Sequence, residues 1–337
     1  MKTIYHYHIY NSNRGDQAIH QSIHDMIERV HGEKINWIPK CLNNDVCTKE
    51  VIKEMNEQGD MLIIGGSGLY VNAWKNYEGA YWYFPCDQKL FKEIKIPIVL
   101  WSLGMNKDFS GEEEPLTEQT WDSIAEMNEL CAMSSVRDER TFDNLLWHGI
   151  KTKLIADPAL FLQPDTKIEN AELQRLIIDN DTLGLNLASH TECARAIRDK
   201  SIDKIIDMCH AWTGSIVYLK HHEMEHRSIK LLKKKGLNPY VVDCEPKQLL
   251  YVMQHLSRAI NMMLHNCILC VNAELPVYNI PYNVKHEGFF NLFSDSMKCT
   301  GSDAYMIKCY DDQILRRKRK LKQDNDDWCR RVAELLN

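Results

Sequence analysis

Residues 260–282 read INMMLHNCILCVNAELPVYNIPY, and the pattern of this stretch decides the fold. Two short apolar runs bracket a longer apolar segment that opens at His265 and is stopped by Pro276. The pattern predicts a buried strand, a helix and a second buried strand, the repeating unit of a parallel sheet. His265 then stands where a helix begins at the carboxyl end of a strand. Free backbone N–H groups gather at such a turn, which makes it a natural place for an anion and for chemistry.

The same rhythm extends outward. In the first half, apolar runs at residues 3–10, 35–40, 60–66, 96–105, 132–138 and 151–161 alternate with amphipathic segments at 15–32, 48–59, 118–131 and 139–150. Gly32 is the expected stop of the first helix and Thr48 the cap of the second. The rhythm pauses in the polar stretch 162–182, read as a linker, and resumes at 183–190, 214–222 and 238–244 with helices between. The fold class expected is α/β, with two Rossmann-like domains facing across a cleft. Residues 1–165 form the N-terminal domain, residues 180–310 the C-terminal domain, and residues 311–337 a helical tail. In that tail a basic block from Arg316 to Lys322 precedes an acidic turn and an amphipathic helix. A run of this kind is more often a solvated helix face than a lipid or nucleic-acid patch.

Composition excludes several classes. The chain has 337 residues, 44% hydrophobic and 26% charged, with a net charge of −6, so the basic footprint of a nucleic-acid binder is missing. Any anionic ligand must be met by a local pocket. Twelve cysteines are irregularly spaced; Cys267 and Cys270 have no second pair to complete a zinc site, and reduced core thiols are expected. The amino terminus MKTIYHYHIY lacks a signal core, and no run reaches the ~18 apolar residues that span a membrane. A cytoplasmic location is expected. Peripheral membrane association and the oligomeric state are left open.

Several strand ends carry candidate chemistry. In NSNRGDQAI, residues 11–19, Asn13 and Gly15 shape a tight loop, and Asp16 either caps the following helix or accepts a proton from a hydroxyl. In IIGGSGLY, residues 63–70, the glycine turn through Gly65, Gly66 and Ser67 frees N–H groups for a phosphate or a sugar, or packs tightly on a helix. Arg137 either binds an anion across the cleft or forms an internal Arg–Asp pair. Asp157, before Pro158, is held extended at a strand end. Lys220 and His222 suit a phosphate or carboxylate, whereas the His222/His226 spacing lacks the order of a metal-binding helix. Tyr282 and Lys285 follow the last strand of the opening stretch, and no metal ligand set is expected.

In this order the motifs resemble the polysaccharide pyruvyl transferase family. The resemblance rests on NRGDQAI at 13–19, GGSGL at 65–69, SVRD at 135–138, DPA at 157–159, His265 with Pro276, and Tyr282 with Lys285, spanning roughly residues 5–290. It implies a glycosyltransferase-B-like fold and transfer of a pyruvyl group from phosphoenolpyruvate to a sugar or polysaccharide precursor, usually as a ketal across two hydroxyls. No cofactor is implied beyond that donor. His265 is then the donor ligand or acid, Asp16 the acceptor-side base, and Lys220, His222 and Lys285 the anion ligands. The chain departs from the pattern at Met263, where the family usually has arginine, at Ser67 for a glycine, and at Thr141 for a serine. The Met263 change keeps two other readings in play: a nucleotide-sugar glycosyltransferase, and a non-catalytic saccharide-binding relative.

Overall fold

A computed structural model of the chain describes residues 1–9, 13–72, 77–106, 115–178, 181–293 and 303–337. Residues 10–12, at the start of the Asn13 loop, and residues 179–180 of the expected linker lie outside the described residues.

The apolar runs of the first half form six parallel strands: β1 (Thr3–His8), β2 (Asn36–Cys41), β3 (Met61–Gly65), β4 (Ile98–Leu103), β5 (Met133–Val136) and β6 (Lys153–Leu154), in the order β2-β1-β3-β4-β5-β6. β3 and β4 are buried at every position, as strands covered on both faces must be. β2 carries Pro39, which an edge strand tolerates because its N–H is not needed there. The crossovers are helical: α1 (Arg14–His31), α2 (Lys49–Gln58), α3 (Glu118–Leu130) and α4 (Glu139–Trp147). Their starts are fixed by Asn13, Thr48, Thr117 and Asp138, whose side chains accept first-turn N–H groups. Gly32 ends α1 at φ 80°, a left-handed conformation that glycine adopts without strain.

The second half repeats the plan. Strands β7 (Thr182–Asn186), β8 (Ser215–Leu219), β9 (Tyr240–Val242), β10 (Arg258–Asn261), β11 (Val277–Asn279) and β12 (Tyr305–Ile307) lie in the order β12-β11-β10-β7-β8-β9, with only the β11–β12 pair antiparallel. Helices α5 (Ala171–Ile178), α6 (Glu192–His210), α7 (His226–Lys234), α8 (Pro246–Met253), α9 (Leu264–Asn272), α10 (Lys285–Asn291) and α11 (Asp312–Glu334) complete the chain. Two expectations need correction. The stretch read as a linker contains α5, because Leu173 and Ile177 recur at helical spacing and are buried. The acidic turn expected in the tail does not form: α11 is continuous, its aspartates pairing one turn back, Asp326 with Lys322 and Asp324 with Lys320.

The two sheets share a core. Ile19 and Ile23 of α1, Trp101 of β4, Leu249 of α8, Ile268 of α9 and Trp328 of α11 all belong to one continuous buried cluster. α11 crosses back to the first half, setting Trp328 edge-on to Trp101 at 6.1 Å. Separate apolar layers cover the outer face of each sheet. The loops that could carry chemistry leave from the carboxyl ends of the strands. Each sheet has a switch point there, between β1 and β3 and between β7 and β10, where loops leave in opposite directions and open a crevice.

Candidate functional site

The two crevices face one another across the amino terminus of α1. The Arg14 N–H donates to the His221 carbonyl at 2.8 Å, and the Arg14 guanidinium reaches Asp243 and Glu245 at 3.2 and 2.9 Å. A β-carbon on Gly15 would overlap the His265 ring, so the imidazole lies directly on the Gly15 backbone. Asn13 caps α1 by accepting from the Gly15 N–H at 2.9 Å. Asp16 is therefore in the first turn and is not the cap. It is buried, and its Oδ1 has no hydrogen-bond partner among the described residues. A carboxylate oxygen left so is costly unless something else, such as a ligand hydroxyl, completes it.

Behind Gly15 lies a charged triad. His265, Arg137 and Asp157 are 6%, 3% and 1% exposed. Arg137 Nη1 donates to Asp157 Oδ2 at 3.0 Å and lies 3.3 Å from His265 Nε2, which is 3.7 Å from Asp157 Oδ2. Arg137 Nη1 and His265 Nε2 thus converge on the same Asp157 oxygen, and the imidazole is held between that pair and Gly15. Burial by itself would raise Asp157; His265, the charge of Arg137 and the Ala159 N–H outweigh it and hold the carboxyl below its ordinary range. Arg137 is aimed by an irregularity in β4. Ser102 adopts φ 57°, the β4–β5 register shifts, and the Leu103 carbonyl receives the Arg137 N–H at 3.0 Å. Gly104 leaves the room this needs, since a β-carbon there would stand 2.8 Å from Arg137 Nε. Arg137 thus forms an internal pair with Asp157. The adjacent Asp138 is occupied in capping α4 through Thr141.

The second half supplies the opposite wall. His222 and Tyr282 stand at strand ends, Lys285 opens α10, and His190 sits in the loop before α6. Tyr282 Oη is 3.2 Å from His190 Nε2 and 3.8 Å from Met263 Sδ. Met263 is buried among apolar side chains. Burial lowers His222, with Asp16 opposing from across the crevice. Lys220, expected beside His222, is held by Asp243 at 2.6 Å and belongs to the Arg14 network joining the halves. The glycine turn packs on α1: a β-carbon at Gly66, φ 74°, would overlap Ile19, and one at Gly65 would stand 3.1 Å from Trp101. Ser67 shares the left-handed geometry at φ 79°, a conformation strained for serine and natural for the glycine it replaces.

Sequence reading missed His190 and a ladder of fully buried asparagines. Asn186, Asn261 and Asn279 each end a strand, β7, β10 and β11. Asn186 Oδ1 accepts from Met263 N–H at 3.2 Å, and Asn261 Nδ2 donates to the Met263 carbonyl at 2.9 Å, which fixes the turn carrying His265. The signal was present: LN, IN and YN each close an apolar run.

A cavity of about 860 Å³ lies between the halves and reaches Asp138, the neighbour of Arg137 in the chain. Tyr70, Tyr83, Asn72, Asn106 and Trp121 line it from the first half and Thr191 and Lys285 from the second. Trp121 and His148 stack in its wall at 3.7 Å. Its size and mix of aromatic faces with a few polar groups suit a saccharide. Among the described residues no group of three or more His, Cys, Asp or Glu is placed to hold a metal ion, and no helix is long and apolar enough to cross a membrane.

A family model for polysaccharide pyruvyl transferase matches residues 13–284, which includes the motifs from Asn13 to Tyr282 and stops one residue short of Lys285. No curated protein matches the chain significantly. Among solved structures, the chain is similar to Methanocaldococcus jannaschii UDP-GlcNAc 2-epimerase in complex with UDP-GlcNAc and UDP, with TM-score 0.53, 12% identity, and coverage of 96% of this chain and 99% of that one. It is also similar to UDP-GlcNAc 2-epimerase from Neisseria meningitidis bound to UDP-GlcNAc, with TM-score 0.55, 11% identity, and coverage of 96% and 99%. At such identity these likenesses establish the fold alone: two Rossmann-like halves in a glycosyltransferase-B-like arrangement.

Proposed function

The chain belongs to the polysaccharide pyruvyl transferase family, and from that premise we propose that it transfers a pyruvyl group from phosphoenolpyruvate to a sugar of a surface polysaccharide or its precursor. The observation that carries this reading is the meeting of Asp16, whose buried Oδ1 lacks a partner, with His265, whose ring rests on the preceding residue. The reaction needs one proton delivered to the enol methylene and protons removed from the attacking hydroxyls. As the methylene becomes a methyl group, the adjacent carbon gains cationic character. A sugar oxygen bonds to it, the carbon–oxygen bond to phosphate breaks with both electrons leaving on phosphate, and a second hydroxyl closes the ketal. Asp16 is assigned as the base and His265 as the acid. Arg137 and Asp157 position the ring. His222, Tyr282 and Lys285 hold the anionic donor, while Lys220, committed to Asp243, is left out of this set. The buried carboxylates near the reacting carbon stabilise its developing charge.

The test is incubation of the purified protein with phosphoenolpyruvate and a panel of glycosides. Phosphate release is expected together with a sugar that has gained pyruvate, both lost in Asp16→Asn and His265→Gln. Absence of phosphoenolpyruvate binding by calorimetry, with no turnover across the panel, sinks the reading. A rise in melting temperature with a nucleoside diphosphate instead of phosphoenolpyruvate points to a nucleotide-sugar donor.

A further inference from the structure

The wall opposite Asp16 contains a group that neither the motifs nor the family assignment accounts for. His190 comes from the loop after β7, at the switch point of the second sheet. Its ring is 5.4 Å from that of Tyr282, edge-on, and 6.3 Å from that of His222. Its Nε2 faces Tyr282 Oη at 3.2 Å, and its Nδ1 is buried with no hydrogen-bond partner among the described residues. Arg195, one turn into α6, donates to the Ser189 carbonyl at 3.3 Å and so stays beside this loop. Lys285 approaches from α10. Two cationic side chains, Arg195 and Lys285, therefore lie beside an imidazole that has one nitrogen unsatisfied, with His222 next to it. Cations gathered around a buried donor are the form of an oxyanion site, in which each incoming oxygen meets an N–H.

We propose that His190 is a direct ligand of the donor's tetrahedral anionic end, in a subsite shared with Arg195, His222, Tyr282 and Lys285. The identity of the donor rests on the function proposed above; the subsite does not. Burial first and then Lys285, His222 and Arg195 lower His190 to about 4, so without an anion beside it the ring is neutral near pH 7. A dianion reverses the sign of that field. His190 then takes up a proton from solvent, donates from Nε2 to Tyr282 Oη, and donates from Nδ1 to an anion oxygen. The other charges facing this wall are Asp16 and Glu223, both of which act on His222, and Lys220. Met263 adds no charge here. The protonated histidine brings a cation that appears only when the anion is bound.

Sulfate is the probe, because it is a tetrahedral dianion that does not titrate near neutrality. The full-length protein is titrated with sulfate by calorimetry in two buffers of different ionisation enthalpy, from pH 7.5 to 6. The wild type is expected to bind with proton uptake that grows as pH falls. His190→Gln and His190→Asn are expected to bind at least tenfold more weakly and to lose the uptake, with melting temperatures unchanged. His222→Gln is expected to weaken binding and keep the uptake. The proposal is overturned if the wild type does not bind sulfate, if its binding takes up no proton, or if the uptake disappears with His222 and persists without His190. A parallel titration with phosphoenolpyruvate separates the two claims. Sulfate binding with His190-dependent uptake but no phosphoenolpyruvate binding leaves the subsite standing and removes the donor.

Discussion

Gly15 is the residue on which the site turns, because the His265 imidazole occupies the space a β-carbon would fill. Gly15→Ala is therefore expected to displace His265 from Arg137. Under the proposed function, kcat should fall about a hundredfold or more, as a displacement near 1 Å can cost. The melting temperature should change little, since a helical glycine-to-alanine exchange otherwise stabilises. Steady-state kinetics beside a thermal melt checks this, and a proportional loss of both would refute it. Asp157 gives the converse case. Asp157→Asn leaves the Arg137 guanidinium, 3% exposed, without its counter-charge, and breaking a buried pair in this way costs about 3–5 kcal/mol. Urea unfolding should show that loss, and a change below about 1 kcal/mol would mean that water or Asp138 compensates. These residues also show how far a sequence can be read. His265 and Asp16 are legible because residue type, helix start and strand end coincide in a few consecutive positions. The partner of Arg137 is less so. Asp138 adjoins it but turns away to cap α4, and Asp157 comes alongside only through the pairing of β5 with β6. His190 is illegible for the same reason, because its meaning depends on Tyr282, 92 positions later.

At the scale of elements, β1 and α1 bring four histidines together. His6 and His8 alternate along the strand toward one face, and His20 and His24 are one turn apart on the helix. The rings of His6 and His8 are 4.7 Å apart and those of His8 and His20 4.4 Å, while His24 stacks on Trp37 at 3.7 Å. H-x-H on a strand and H-x-x-x-H on a helix are visible in the sequence, but only the packing of α1 on β1 turns two ordinary spacings into one cluster. The strands and helices were readable because periodicity is local. The continuity of α11 was not, since DNDD resembles a turn until its pairs with Lys320 and Lys322 are known. The histidine cluster has a pH consequence. Burial, reinforced by the other histidines, lowers His20 to about 3 and His24 to about 2, and burial also lowers His6 and His8. Unfolded histidines titrate near 6.5, so between that value and the folded ones the unfolded chain binds more protons, and stability falls as pH falls. It is fully present above about pH 6.5. Below it, each such group contributes a slope of up to about 1.4 kcal/mol per pH unit. Melting temperature should therefore drop between pH 7 and pH 5, before the carboxylates contribute. His24→Phe, which keeps the stack on Trp37, should flatten the drop. An equally steep profile in that variant would place the acid sensitivity elsewhere, for example at His221 or His286, both held near 3 by burial.

The whole molecule differs in one respect from two domains joined by a linker. Paired domains usually meet through a modest, rather polar interface and move as separate bodies. Here α1, α8, α9 and α11 place one apolar cluster between the sheets, and α11 starts beside the second sheet and ends on the first. Its basic block serves this arrangement: Lys318 donates to the Asn272 carbonyl at the end of α9, and Arg317 to the Leu292 carbonyl. Such positions complement the negative end of a helix and satisfy carbonyls that would otherwise lack partners. A site built on this base stays preorganised, because Gly15 on α1 and His265 on α9 belong to helices that pack on one another. The halves should then unfold together. Melts followed by tryptophan fluorescence, to which Trp101 and Trp328 at the junction contribute among eight tryptophans, and by far-ultraviolet circular dichroism, which reports on both sheets, should superimpose as a single transition. Trp328→Ala opens the junction at the buried Trp101–Trp328 contact and should cost about 3–5 kcal/mol. It should lower both signals together, because neither sheet can keep its inner face covered once α11 loosens. Two separated transitions in the wild type, or a variant in which only the fluorescence transition moves, would mean that the shared cluster is two cores in contact. His265 and Asp16 would then be brought together by a hinge.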